Sequence, residues 1–264
     1  MGALLTVGLL TGLASCVIPS DQNTVTPKRF VEAPTISAQA QAKFGDEAGR
    51  AYQEIADFVL DQGERSELLD PQRTTFTAQD LTAGLTSHMT PGAAATWEHL
   101  VAQALDGDAT AEEAVRALRY YKVEAPTLTL PAQGAVDSQT VTGAKVDLLP
   151  ASTGTVDRLK ITFEHTTRIS LLNGKSPYPG SIDNQLEFAV IPAGLVVMPT
   201  AKPSSTVTAP TSTASPGTTG TPAPTPTLPS ADYTRDPAAT WLISQFEGDV
   251  DLAFDADPSS DATK

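Results

Sequence analysis

Arg158-Leu159-Lys160-Ile161-Thr162-Phe163-Glu164-His165-Thr166-Thr167-Arg168-Ile169-Ser170-Leu171 is the stretch that decides the fold. Leu159, Ile161, Phe163, His165, Thr167, Ile169 and Leu171 share one phase. Lys160, Thr162, Glu164, Thr166, Arg168 and Ser170 share the other. Successive side chains of a strand point to opposite faces, so this alternation gives a strand with one buried and one solvated face. Half-solvated strands of this kind belong to antiparallel sheets. The same period recurs nearby. Tyr121, Val123 and Ala125 begin a strand that Pro126 interrupts, Thr142, Ala144, Val146 and Leu148 alternate, and Leu186, Phe188 and Val190 continue the series up to Met198. A last strand places Leu242, Phe246, Val250, Leu252 and Phe254 on one face. Trp241, Gln245, Glu247, Asp249 and Asp251 lie on its other face.

Before these strands the period is helical. Phe44, Ala48, Ala51, Tyr52, Ile55, Phe58 and Val59 follow helix spacing, and Gly63 stops the run. Thr77 with Asp80 reads as an N-cap pair ahead of Leu81, Leu85 and Met89. Thr90-Pro91 is a second helix start, with Ala94, Trp97, Val101, Ala104 and Leu105 as its apolar face. Thr110 and Glu113 form a capping box for a short helix through Leu118. Helices followed by five strands predict an α+β domain, with N-terminal helices packed on a curved antiparallel sheet.

Thr200 to Ser230 is dominated by Thr, Pro and Ser and carries one charge, Lys202. Such a segment buries too little apolar surface to offset its ordering entropy. The strand after it needs a partner, so residues 200–236 are expected to be a long disordered loop inside one domain. The expected division is a leader over 1–15, a flexible tether over 16–43, one domain over 44–255 and a disordered tail over 256–264.

Leu13-Ala14-Ser15-Cys16 closes a short apolar run and holds the chain's only cysteine. The run is shorter than the about 20 apolar residues of a membrane span and has the length of a signal-peptide core. The tetrapeptide resembles a bacterial lipobox, although no Lys or Arg precedes it, as a signal peptide would have. The resemblance implies lipidation of Cys16 and a protein anchored at the outer face of the cell membrane. The alternative is an apolar tail ending at a buried structural cysteine. The abundance of Ala and Thr and scarcity of Lys are similar to secreted lipoproteins of actinobacterial type. With 17 basic and 31 acidic residues the net charge is −14. Nucleic-acid binding, which needs basic patches, is disfavoured. Attachment to an anionic bilayer would then come from the acyl chains, not from the acidic body.

The element order, from the helices Asp46–Gln62 and Thr77–Leu105 to a curved sheet ending in a Trp241-Leu242-Ile243 strand, resembles the nuclear-transport-factor-2-like, or cystatin-like, cone fold. That resemblance covers roughly Phe44 to Asp255 and implies a ligand-binding or partner-docking module. Enzymatic members carry an Asp/His or Tyr/Asp set inside the cone, and no such set can be placed here.

His165 is the leading polar candidate, because alternation puts it on the apolar face between Phe163 and Thr167. It is either a hydrogen-bonded core histidine, the commoner case, or a general base lining a pocket. Phe163, His165 and Trp97 are the candidate binding residues, with Trp97 also readable as plain core. His88 and His99 lie on separate helices, and no metal site is expected from them. Glu247, Asp249 and Asp251 read as a solvated acidic face rather than a calcium site. Tyr178 sits in Ser176-Pro177-Tyr178-Pro179-Gly180, expected to be a turn-rich loop. No G-x-S-x-G elbow, phosphate loop or dinucleotide fingerprint is present, and no cofactor is expected. The expected function is a non-catalytic envelope module binding a small apolar ligand or an envelope protein. The alternatives are a cone-fold enzyme using His165 and a lipid carrier with an apolar pocket.

Overall fold

A computed structural model describes residues 26–151, 156–196 and 233–255. Its spine is β4 (Arg158–Asn173), in which every odd position from Leu159 to Leu171 is buried. β3 (Val136–Leu149) and β5 (Ser176–Pro192) flank it antiparallel, and β6 (Trp241–Phe254) pairs antiparallel with β5. Two short strands, β1 (Lys28–Val31) and β2 (Thr35–Ile36), run parallel to β3 on the opposite edge. The result is an α+β fold with a mixed, curved, unclosed sheet of six strands. Helices α1 (Ala38–Phe44), α2 (Glu47–Gln62), α3 (Ala78–Thr82), α4 (Pro91–Leu105) and α5 (Ala109–Leu118) complete it. Their buried residues join those of the inner sheet face in the larger apolar core.

The helix signals act locally. Thr77 and Asp80 form a reciprocal capping box, and Thr90 accepts from the Ala93 N–H ahead of Pro91. At α5 the cap is Asp108, whose carboxylate accepts from the Ala111 N–H at 2.9 Å, and Thr110 falls inside the first turn. The expected strand at Tyr121–Ala125 does not form. Lys122 adopts a left-handed φ of 60°, and the Arg116 guanidinium donates to the carbonyls of Tyr121 and Lys122. Those carbonyls are the acceptors a sheet would need.

The stretch expected to be a tether holds β1, β2 and α1. Glu32, between the two strands, ties them down. Its N–H donates to the Val141 carbonyl, its carbonyl accepts from the Tyr52 hydroxyl at 2.6 Å, and its carboxylate accepts from the Gly143 N–H at 2.9 Å. Gly143 has a φ of 63° at a register shift in β3, a conformation favouring glycine. The expected loop ends before residue 236. The Tyr233 hydroxyl donates to Met89, and the Asp236 N–H to Ser87. The leader, Cys16, residues 200–232 and the 256–264 tail lie outside the described residues.

Two expectations about side-chain direction are corrected. In β6, Ile243 pairs with Val190 but Gln245 pairs with Ala189, so Ser244 is an extra residue. This bulge inverts the phase. Trp241 and Ile243 therefore join Phe246 in the main core, and Leu242 packs with Ala193 and Ala239 instead. Tyr178 belongs to no loop. It is buried in β5 against Phe254, and the β4–β5 turn is the two-residue Gly174-Lys175.

Arg119 closes the helical layer. It is wholly buried and is itself the C-cap of α5. Its guanidinium donates to the Gln62 carbonyl at 2.6 and 3.2 Å, at the C-terminus of α2. It also donates to Asp80 at 2.8 Å and Ala83 at 2.9 Å, at the C-terminus of α3. Helix C-termini carry unpaired carbonyls and partial negative charge, and one cation answers both needs at both ends. Burial draws its pKa down to about 10, which leaves it charged at neutral pH. Arg119→Met is expected to lower the unfolding free energy by about 3–5 kcal/mol in urea titrations. Arg119→Lys should recover only part, because an ammonium lacks the planar fork. A loss below about 1 kcal/mol for Arg119→Met would contradict the assignment.

Candidate functional site

A polar belt crosses the buried face of the sheet between two apolar clusters. Phe163, Leu186 and Phe188 belong to the larger cluster, and Ile169, Leu171 and Ile182 to the smaller. Between them lie Gln139, His165, Thr167 and Asn184, all at most 3% exposed. Register brings them together. His165 is directly opposite Asn184, and Gln139 directly opposite Thr167. The helical layer contributes Glu64, which follows the Gly63 cap of α2.

The contacts form a chain. Asn184 Nδ2 donates to the Ala117 carbonyl at 2.8 Å and to Glu64 Oε1 at 3.3 Å. His165 Nε2 lies 3.3 Å from the Thr167 hydroxyl. His165 Nδ1 faces Glu64 Oε2 at 3.6 Å, and neither atom has a hydrogen-bond partner among the described residues. Burial pushes the Glu64 carboxyl up to about 8, against the opposing pull of the Asn184 amide and the Arg119 charge. Burial also draws His165 down to about 4. The distance alone would suit an ion pair. Desolvation dominates both groups, however, so the pair is an uncharged acid facing an uncharged imidazole at neutral pH. Such a pair can hold or exchange one proton, but both side chains are fully shielded from solvent.

The other two candidate residues belong to an aromatic row. Tyr52, Phe163, Phe188, Phe246 and Trp97 follow one another at ring-centre distances of 6.2, 5.7, 5.3 and 6.2 Å. Phe163 is core, 4% exposed. Trp97 is 2% exposed and donates its indole N–H to the Leu81 carbonyl, yet it also lines a cleft between α4 and β6. This cleft, of about 260 Å³, is walled by Ala93, Thr96 and Leu100 from the helix and by Ile243 to Phe246 from the strand. Trp97 and His165 therefore serve different places.

His88 contacts Phe58 and lies 3.4 Å from Asp236. Among the described residues no group of three His, Cys, Asp or Glu is placed to hold a metal ion. Glu247, Asp249 and Asp251 form an exposed row on β6. Sequence reasoning missed Glu64, Arg119, Gln139, Asn184 and the cleft. Asn184 could have been found, because it interrupts the apolar phase of Ile182, Leu186 and Phe188 as His165 does in β4. No protein-family model, characterised protein or solved structure matches the chain.

The two shifted groups make stability depend on pH in opposite senses. Glu64 is raised from 4.5, so its contribution is complete below 4.5 and is lost as pH rises through about 8. His165 is depressed from 6.5, so its contribution is complete above 6.5 and is lost as pH falls through about 4. Between 4.5 and 6.5 the slopes cancel, and above 6.5 only the Glu64 loss continues. Stability is expected to fall by about 2 kcal/mol between pH 6.5 and 8. Glu64→Gln should flatten that limb in chemical denaturation; an unchanged slope in the variant would contradict the uncharged pair.

Proposed function

We propose that this protein is a lipid-anchored, extracytoplasmic binding module of the cell envelope, non-catalytic, which takes its ligand or partner at the Trp97 cleft. The observation that carries this reading is a contrast. The buried Glu64–His165 pair is sealed from solvent, whereas the apolar cleft that Trp97 lines opens to it, and the half-exposed His88–Asp236 contact belongs to neither. An enzymatic role for His165 has Glu64 in its favour but requires an opening to the pair. The cleft, at about 260 Å³, falls under the roughly 300–1,000 Å³ of pockets that enclose small ligands. It suits an inserted side chain or a small apolar group better than an acyl chain, which counts against a lipid carrier.

The lipobox-like Leu13-Ala14-Ser15-Cys16 supports the address. β1 begins 12 residues after Cys16. At ~3.4 Å per extended residue, the domain would sit within about 40 Å of its anchor. The helices-then-curved-sheet order supports the resemblance to the nuclear-transport-factor-2-like fold, whose cone serves as a binding module.

Two measurements test the proposal. Cys16→Ala should move the full chain from the membrane fraction to the soluble one, and continued retention would remove the anchor. Thr96→Trp, at an exposed position on the cleft wall, should reduce binding of the apolar dye Nile red at least tenfold without lowering the thermal midpoint. Unchanged dye binding would remove the cleft.

A further inference from the structure

Resting on that reading, we propose that the cleft and the open edge of β6 together bind an extended polypeptide segment in which basic and apolar residues alternate. β6 is the last strand in the sheet order, and its outer edge has no strand partner from Gln245 onward among the described residues. The chain already uses the start of this edge. Met89 bridges to Ile243 in parallel, and the Thr90 N–H donates to the Ile243 carbonyl at 2.8 Å. The edge is therefore geometrically able to receive a strand, and the cleft begins where this internal contact stops.

An added strand would send alternate side chains to the two faces of the sheet. On the inner face one of them meets the cleft, where Trp97 and Phe246 offer an apolar, aromatic seat. On the outer face its neighbours are Glu247, Asp249 and Asp251, at the roughly 5 Å spacing of cross-strand pairs. Two of those acids face like charges across the sheet. Glu247 is directly opposite Glu187, and Asp251 directly opposite Asp183. Like charges facing each other across a sheet are destabilising. Lys160 pairs with Glu187 and its charge also reaches Glu247, but no Lys or Arg forms a direct ion pair with Glu247, Asp249 or Asp251 among the described residues. Further along, a groove between α5 and β6 carries Glu113 and Glu124 beside the same edge, while its Glu112 is already paired with Arg116 and Lys122.

Protection of an exposed edge accounts for acids on β6 itself. The acids opposite them on β5 have partners within the sheet: Glu187 pairs with Lys160, and Asp183 accepts from the Thr166 and Ser181 hydroxyls. The charges on β6 select the occupant. A second copy would bring three acids of one β6 against three of the other, whereas Lys or Arg at alternate positions would neutralise them. The partner class is thus an extended, basic–apolar segment of another polypeptide.

The test uses the full chain carrying Cys16→Ala and a fluorescein-labelled heptapeptide of alternating Lys and Val, followed by anisotropy. Saturable binding is expected. The triple variant Glu247→Lys, Asp249→Lys, Asp251→Lys, confirmed as folded by circular dichroism, should weaken it at least tenfold. N-methylation of the valine amides in one peptide and of the lysine amides in another removes the strand donors of each edge in turn while keeping charge, and one of the two should do the same. Equal binding of both N-methylated peptides would overturn strand addition, and a β6-dependent dimer by native mass spectrometry would overturn the choice of partner. Absence of peptide binding with Nile red still bound removes this proposal alone. Absence of both removes the cleft reading as well.

Discussion

The Arg119 guanidinium, wholly buried, donates four hydrogen bonds to backbone carbonyls at Gln62, Asp80 and Ala83 while its own backbone ends α5. Three helices thus terminate around one cation. Without it their last carbonyls would be buried with no donor, at a cost of about 1–3 kcal/mol each. The clamp also sets the position of Glu64. That residue follows the end of α2 by two positions, so fixing the Gln62 carbonyl fixes where the carboxyl enters the core. The guanidinium is engaged by carbonyls rather than by the acid, which lets burial prevail over its charge and keeps Glu64 protonated at neutral pH.

The polar belt follows from this placement. Apolar packing alone tolerates many arrangements, but a buried amide, imidazole and carboxyl do so only where each meets its partners. Asn184 is met by the Ala117 carbonyl from α5 and by Glu64. Its pairing opposite His165 then fixes the register between β4 and β5. A slip of one residue would turn Leu159, Ile161, Phe163, Ile169 and Leu171 to solvent and put charged residues inside. The belt divides the interior into two apolar clusters, each with its own strand segments and helical or loop cover. The aromatic row lies wholly on one side of it and ends at the open cleft.

The sequence made much of this fold legible where one local rule governed the outcome. The alternation of Arg158–Leu171 matches the burial of β4 residue for residue, and Thr77, Asp80, Thr90 and Pro91 act as written. Legibility stopped where a distant contact decided. β1 and β2 are mostly exposed and show no apolar period, and their order comes from pairing with β3 and from Glu32. The Ser244 bulge inverted the phase of β6, a one-residue event that no alternation count detects. Asp108 took the cap expected of Thr110 because the chain turns two residues earlier. Of the site, His165 and Asn184 stand out as polar residues in an apolar phase. Glu64 and Arg119 sit at helix ends, where charged residues are ordinary, and only the packing of helices on the sheet buries them.

Nitrogen-15 NMR of the Arg119 side chain tests the clamp most directly. A guanidinium held by carbonyls from two helices cannot rotate freely about its Nε–Cζ bond, and its protons are shielded from water. The account predicts separate, slowly exchanging Nη resonances for Arg119 at neutral pH, unlike those of the exposed Arg50. A single averaged signal that exchanges as fast as that of Arg50 would contradict it.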